Sequence, residues 1–481
     1  MDQGRITRVI AQGKLTVPAH HQECANQKQV SSRAQTVVVS LPRELIRIPM
    51  ANEPKLVHPK EEGARNPFTL AVLSLLVGAV AGLLGASFRI GLKHLDVWRT
   101  ALIGWLHGWG WVGIVVVMTG TSLAAAIASW MVRTLAPESK GSGIPYVETQ
   151  LREGWFGNPI RIVLVKFLGG WLAIGSGLAL GREGPTVQIG SVIGHLLGGT
   201  FKRNGNDRRV LLAAGAGAGL ATAFNAPIAG AVFVLEELLG AFDVPISIAT
   251  LGTSAGAIGI ARLLLGRAPD FTVGNLEPLE LGTVFVHLLL GIVFGLLGVA
   301  YCRTILGAIA LQTRLNKIAV EWRAAAVGAL IGLLGWFAPS LIGGGDNLTQ
   351  EALTGNVMVG TVAIFFLIRF VLGPISYSAE TPGGLFAPML TIGSQGGLLL
   401  GWLWIRVFHG RAYLLQDFAI VGMAAFFTAV VRAPVTGLIL VIELTGSSVL
   451  LLPMLAAVFA AMTVATVLKQ SPIYSSLRVV R

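Results

Sequence analysis

Long apolar stretches recur from Phe68 almost to the C-terminus, and they narrow the architectures open to this chain more than any other feature. The clearest are Phe68–Ile90, Val112–Met131, Ile160–Leu180, Leu211–Leu235, Val284–Leu306, Ala324–Leu341, Val357–Val371, Phe418–Ile442 and Val449–Leu468. Crossing about 30 Å of hydrocarbon takes roughly 20 helical residues, and these runs cluster near that length. With no water at that depth, each backbone N–H and C=O needs a partner within the protein, which a helix supplies from its own segment. The expected fold class is an all-α polytopic membrane protein with broken helices. At 53% hydrophobic and 12% charged residues, the chain is too apolar for a soluble globule. Several runs are short or interrupted by Gly and Pro, so hydropathy alone does not set the number of helices.

The formal net charge of +12 raises the possibility of nucleic-acid binding. Much of that charge lies in the polar N-terminal segment, in the run Lys202-Arg203-Asn204-Gly205-Asn206-Asp207-Arg208-Arg209 and in Arg478 and Arg481. The distribution fits the excess of Lys and Arg on cytoplasmic loops, so a nucleic-acid partner is not expected and both termini are expected in the cytoplasm. Residues 1–65 are polar and lack an amphipathic period, and read as a flexible cytoplasmic extension ahead of a membrane-spanning domain over 66–481. A transit peptide is the alternative for the acid-poor first 40 residues, and Met50 is an alternative start. The two cysteines, Cys24 and Cys302, offer no disulfide framework, and the eight histidines show no metal-ligand spacing. Neither a metal nor a cofactor is expected.

Two internal matches suggest duplication. Gly181, Pro185, Gly190, Ser191 and Gly194 recur as Gly384, Pro388, Gly393, Ser394 and Gly397, an offset of 203; Ala226-Pro227, Gly230 and Glu236 recur as Ala433-Pro434, Gly437 and Glu443, an offset of 207. Packing glycines are common in membrane bundles and could produce one such match, but two in the same order are harder to obtain that way. The halves would run over roughly 66–270 and 271–481. Whether they are parallel or inverted depends on the number of crossings and stays open. The repeated Gly-rich breaks point to discontinuous helices meeting inside the bilayer, where irregular backbone survives only if protein or a cavity surrounds it.

Three of these breaks carry groups suited to a small anion. In Gly181-Arg182-Glu183-Gly184-Pro185 a carboxylate stands between apolar runs, where an ionised acid costs roughly 2.5–3.5 kcal/mol and is retained for proton or ion handling. Gly141-Ser142-Gly143-Ile144-Pro145 offers a hydroxyl beside a helix start, and Pro382-Gly383-Gly384-Leu385-Phe386-Ala387-Pro388 leaves the Leu385 and Phe386 amides open. Tyr474 adds a phenolic donor. Taken singly, Ser142 could be only a helix cap, Tyr474 an interfacial aromatic and Glu237 a snorkelling acid.

Taken together, GSGIP (141–145), GREGP (181–185), GGLFAP (383–388) and the C-terminal tyrosine resemble the signature set of the CLC chloride channel and transporter family, in order, from about Pro67 to Leu477. The resemblance implies an inverted two-fold repeat within each subunit and a homodimer with one anion path per subunit. It implies that Ser142 and Tyr474 give hydroxyls, and Leu385 and Phe386 amides, to a central chloride. Glu183 matches the gating glutamate, which leaves the anion path when protonated, and Glu237 matches the internal proton-transfer position. Glu236, paired with Glu443 by the repeat, is expected to be structural. The implied function is proton-coupled chloride exchange in a bacterial inner membrane, with a passive voltage- or pH-gated chloride channel of the same fold as the alternative and an embedded enzyme as a more distant one. Serine at 142 resembles chloride-handling members. Tyr146, after Pro145, stands where an acid is common in the family. Lys166, Arg182 and Arg369 lie in or beside apolar runs and either shape the anion potential or pair with buried acids.

Overall fold

The computed structural model describes residues 67–274, 276, 283–355, 357–408 and 414–480. The expected extension over residues 1–65, with Cys24 and Met50, lies outside the described residues. The described elements are helical, and six of them are long and apolar enough to cross a membrane. The first, Pro67–Leu106, runs for 40 residues, about 60 Å at 1.5 Å per residue and well beyond the hydrocarbon thickness.

Helix pairing repeats between the two halves. Pro67–Leu106 packs along Val244–Leu265, and Glu183–Thr200 along Gly205–Phe224; in the second half Thr283–Arg314 packs along Leu451–Val467, and Phe386–Phe408 along Leu414–Val431. Two counterpart pairs meet each other directly, Trp111–Leu135 with Val320–Phe337 and Pro227–Phe233 with Pro434–Thr445. Such pairs are what a two-fold relation between the halves places on its axis. Small residues bring the backbones together: a side chain on Gly190 would run into the Gly215 carbonyl, and one on Gly393 into that of Gly422. With no hydrophobic drive between helices in lipid, this close van der Waals contact is what holds them. The recurring glycines are therefore both packing residues and marks of the repeat.

Two runs that read as single spans are each two helices. Leu211–Leu235 breaks after Gly205–Phe224 at Asn225 (φ 51°), and Phe418–Ile442 breaks after Leu414–Val431 at Arg432 (φ 73°). These left-handed residues are 207 apart, and each precedes an Ala-Pro that begins the next helix, Pro227–Phe233 or Pro434–Thr445. Proline lacks the N–H that would continue the preceding helix and suits the first turn of the next. Hydropathy is blind to the break because the residues around it are apolar. It also passes over the helix Phe386–Phe408, whose Gly, Ser, Thr, Gln and Pro dilute the apolar signal.

Candidate anion site

Three turns from distant parts of the chain come together in the interior. Gly181 and Gly384 exchange N–H···O bonds of 2.8 Å in both directions, so the two repeat-related turns are bound to each other. The Gly141 amide donates to Thr381 O at 3.2 Å, and Gly383 N donates back to Gly141 O at 3.1 Å. Gly184 closes the triangle: a Cβ there would strike the Ser142 backbone and Gly384 Cα. Glycine is required because backbone meets backbone at this point.

Glu183 is the first residue of the Glu183–Thr200 helix and is fully buried. Its side chain turns back across the break. Oε1 accepts from the amides of Phe386 (2.6 Å) and Ala387 (3.3 Å), which open the Phe386–Phe408 helix, while Oε2 has no hydrogen-bond partner among the described residues. The carboxylate thus takes the place of an anion at a helix N-terminus, where free amides and the helix dipole favour negative charge. Ala387 was not singled out in the sequence, although its place one residue after Phe386 in the first turn could have suggested it. Leu385 is buried beside it, and its carbonyl accepts from Met389 N at 3.0 Å.

Ser142 and Tyr474 are both buried. Ser142 Oγ accepts from Ile144 N at 3.3 Å, while its own amide faces the Tyr377 hydroxyl at 3.4 Å. The cap residue of the Ile144–Glu153 helix is Gly143, in the left-handed region at φ 85°, so Ser142 is one residue removed from the cap. The Tyr474 ring rests on Phe386 with centroids 5.8 Å apart, and its hydroxyl has no hydrogen-bond partner among the described residues. Glu183, Tyr377, Glu237 and Glu148 are its ionisable neighbours. The helix bearing it, Ile473–Val480, packs on Ile144–Glu153 and is tied there by Arg478 to Glu148 at 3.2 Å. Tyr146, on that same helix, is buried and donates its hydroxyl to Phe156 O.

Glu236 and Glu237 lie in a π-helical turn, Val234–Leu238. The wider turn aims neighbouring side chains differently. Glu236 accepts from Val435 N, Thr436 N and Thr436 Oγ1 at 3.0, 2.7 and 2.7 Å. Glu237 is half-buried and near enough to Tyr474 to act on it electrostatically.

Arg182 pairs with Asp270 (3.0 Å) and Asp346 (2.7 Å), with Arg89 also on Asp270. Lys166 and Arg369 donate to backbone carbonyls, and Arg182 also donates to Ala223 O.

The family model for voltage-gated chloride channels matches residues 124–466, more than half of the chain. The chain belongs to the CLC family. The H(+)/Cl(-) exchange transporter ClcA of Salmonella paratyphi B and that of Salmonella typhimurium are each 35% identical to it over 424 residues, 86% of this chain and 89% of theirs. A slow cyanobacterial Cl-/H+ antiporter of known structure is 32% identical, with a TM-score of 0.82 over 86% of this chain and 98% of that one. The fold extends to a CLC-type fluoride/proton antiporter at 23% identity, with a TM-score of 0.69 over 86% of this chain and 98% of that one. This CLC chain is an integral membrane protein with the inverted two-fold repeat and broken helices of its family.

Proposed function

We propose that this protein exchanges chloride for protons, with Glu183 as the gating and proton-carrying group and Glu237 as the internal proton-transfer acid. The carrying observation is the Glu183 carboxylate seated on the Phe386 and Ala387 amides. Those N–H groups can serve a carboxylate or a halide, but not both at once. Protonation removes the charge that strengthens the two hydrogen bonds, each worth roughly 1.5–3 kcal/mol when charged and about half that when neutral. The neutral side chain then yields the amides to chloride, which the Ser142 and Tyr474 hydroxyls hold from the other side, with the Leu385 and Phe386 amides completing the expected ligand set. Loss of the proton towards Glu237 returns the carboxylate to its seat as chloride departs. Hydroxyls, amides and helix dipoles hold a halide loosely enough for rapid release, which a lysine or arginine ligand would not.

The names of the Salmonella relatives and of the cyanobacterial antiporter support coupled exchange over a passive channel. The transport domain runs over 66–481, both termini face the cytoplasm by the placement of Lys and Arg, and the protein works in a bacterial inner membrane as a homodimer with one path per subunit. Purified protein in liposomes, with halide and proton fluxes recorded together, tests the reading. An opposed proton flux driven by a chloride gradient is expected. Chloride flux that ignores a pH gradient would make it a channel, and no chloride flux at all would remove both.

A further inference from the structure

Lys166 is fully buried and donates from Nζ to Gly141 O at 2.6 Å. That same carbonyl accepts from Gly383 N at 3.1 Å. One oxygen therefore joins the lysine, the turn that carries Ser142 and the turn that opens the Phe386–Phe408 helix. The neighbouring bond from Gly141 N to Thr381 O ties the same two turns. An ammonium at the centre of such a junction fixes the distance between the Ser142 hydroxyl and the Phe386 and Ala387 amides.

The second half contains the same device. Arg369 stands 203 residues after Lys166, and Gly343 stands 202 after Gly141. Arg369, only 1% exposed, donates to Gly343 O at 2.7 Å, Leu341 O at 3.1 Å and Gly344 O at 2.6 Å. The turn it holds leads into a helix whose first residue is Asp346, an acid engaged by Arg182, where the first half has the apolar Ile144. Each half thus uses a buried cation to brace the carbonyls of a glycine turn. The turn held by Lys166 carries Ser142, whose backbone lies against Gly184, the residue after Glu183. A buried cation is costly unless it is well bonded, so its retention at this junction calls for a role there.

We propose that Lys166 is a positioning residue of the anion site, acting through the Gly141 carbonyl to hold Ser142 in register with the amides of Phe386 and Ala387. The inference rests on the reading of those groups as a chloride site. The test is chloride titration of the detergent-purified full chain by calorimetry, using wild type, Lys166→Met, Lys166→Gln, Ser142→Ala and the Lys166→Met/Ser142→Ala double variant. Lys166→Met removes the donor at similar volume and is expected to weaken chloride binding by about tenfold, as loss of a charge-assisted bond to a buried carbonyl implies. Lys166→Gln keeps a donor and is expected to recover binding to within about threefold of wild type. Because Lys166 acts through the Ser142 turn, the double variant is expected to be no more than about twofold weaker than Lys166→Met alone. Wild-type affinity in Lys166→Met, or losses that multiply fully in the double variant, would overturn the assignment. Should Lys166→Met not fold, Lys166→Gln decides: binding within about threefold supports the role, and a loss beyond about tenfold overturns it. Absence of chloride binding in the wild type would instead fail the chloride reading itself, and the inference with it.

Discussion

Glu236 and Glu443 each cap the helix that belongs to the other's half of the chain. Glu236 accepts from Val435 N and Thr436 N at the start of Pro434–Thr445, and Glu443 accepts from Ile228 N (3.0 Å) and Ala229 N (2.8 Å) at the start of Pro227–Phe233. Both helices begin with proline, which has no N–H of its own, so the next two amides are the ones needing an acceptor. The exchange of caps staples the two halves together near their two-fold axis. The structural role expected for this pair from the repeat corresponds to these bonds.

Removing one cap strands two amides at a helix start. Glu236→Ala is expected to cost about 1–2 kcal/mol of stability, the usual scale of a lost N-cap, and Glu443→Ala a similar amount. Thermal unfolding of the purified protein measures it. The proton-to-chloride ratio of the surviving protein should match wild type, since neither acid lies on the proposed proton route.

Glu183→Gln keeps the shape of the gating side chain and removes its ionisation. Chloride flux is expected to persist while coupled proton movement disappears, and proton pumping by this variant would contradict the scheme. The pH dependence follows in sign. Acidification of the wild type favours the protonated side chain that releases the Phe386 and Ala387 amides, so chloride turnover should rise as pH falls, whereas turnover by the variant should lose that response. Flux assays in liposomes across a pH series distinguish the two.

Glu237→Gln acts on a different part of the cycle. Proton flux is expected to fall by about tenfold or more, the range general acid–base groups contribute, with chloride flux reduced much less. Equal losses in both would argue that Glu237 supports the local structure of the Val234–Leu238 turn.

Tyr474→Phe isolates the phenolic hydroxyl. That hydroxyl is buried with no hydrogen-bond partner among the described residues, so its removal strands nothing in the protein, and stability should change by no more than about 0.5 kcal/mol. Chloride affinity should drop by roughly fivefold to tenfold, the value of one neutral hydrogen bond. Titration calorimetry and a thermal melt on the same sample provide both readings.

Local chemistry wrote much of this molecule into its sequence. Apolar runs of spanning length, the Ala-Pro pairs that stop and restart helices, the offsets of 203 and 207 between the halves and an acid at membrane depth in Gly181-Arg182-Glu183-Gly184 are all legible residue by residue, because helix formation, helix breaking and burial cost act within a few neighbours. The tertiary structure decided what touches what. It divided Leu211–Leu235 and Phe418–Ile442 at left-handed residues that hydropathy does not register, chose Phe386 and Ala387 as the amides that hold Glu183, and crossed the caps of Glu236 and Glu443. It also turned Lys166 from an unassigned intramembrane charge into a brace on Gly141. The contacts of Glu183, Glu236 and Glu443 join residues about two hundred positions apart, through a two-fold packing of whole helices, and no periodicity along the chain encodes which pair will meet.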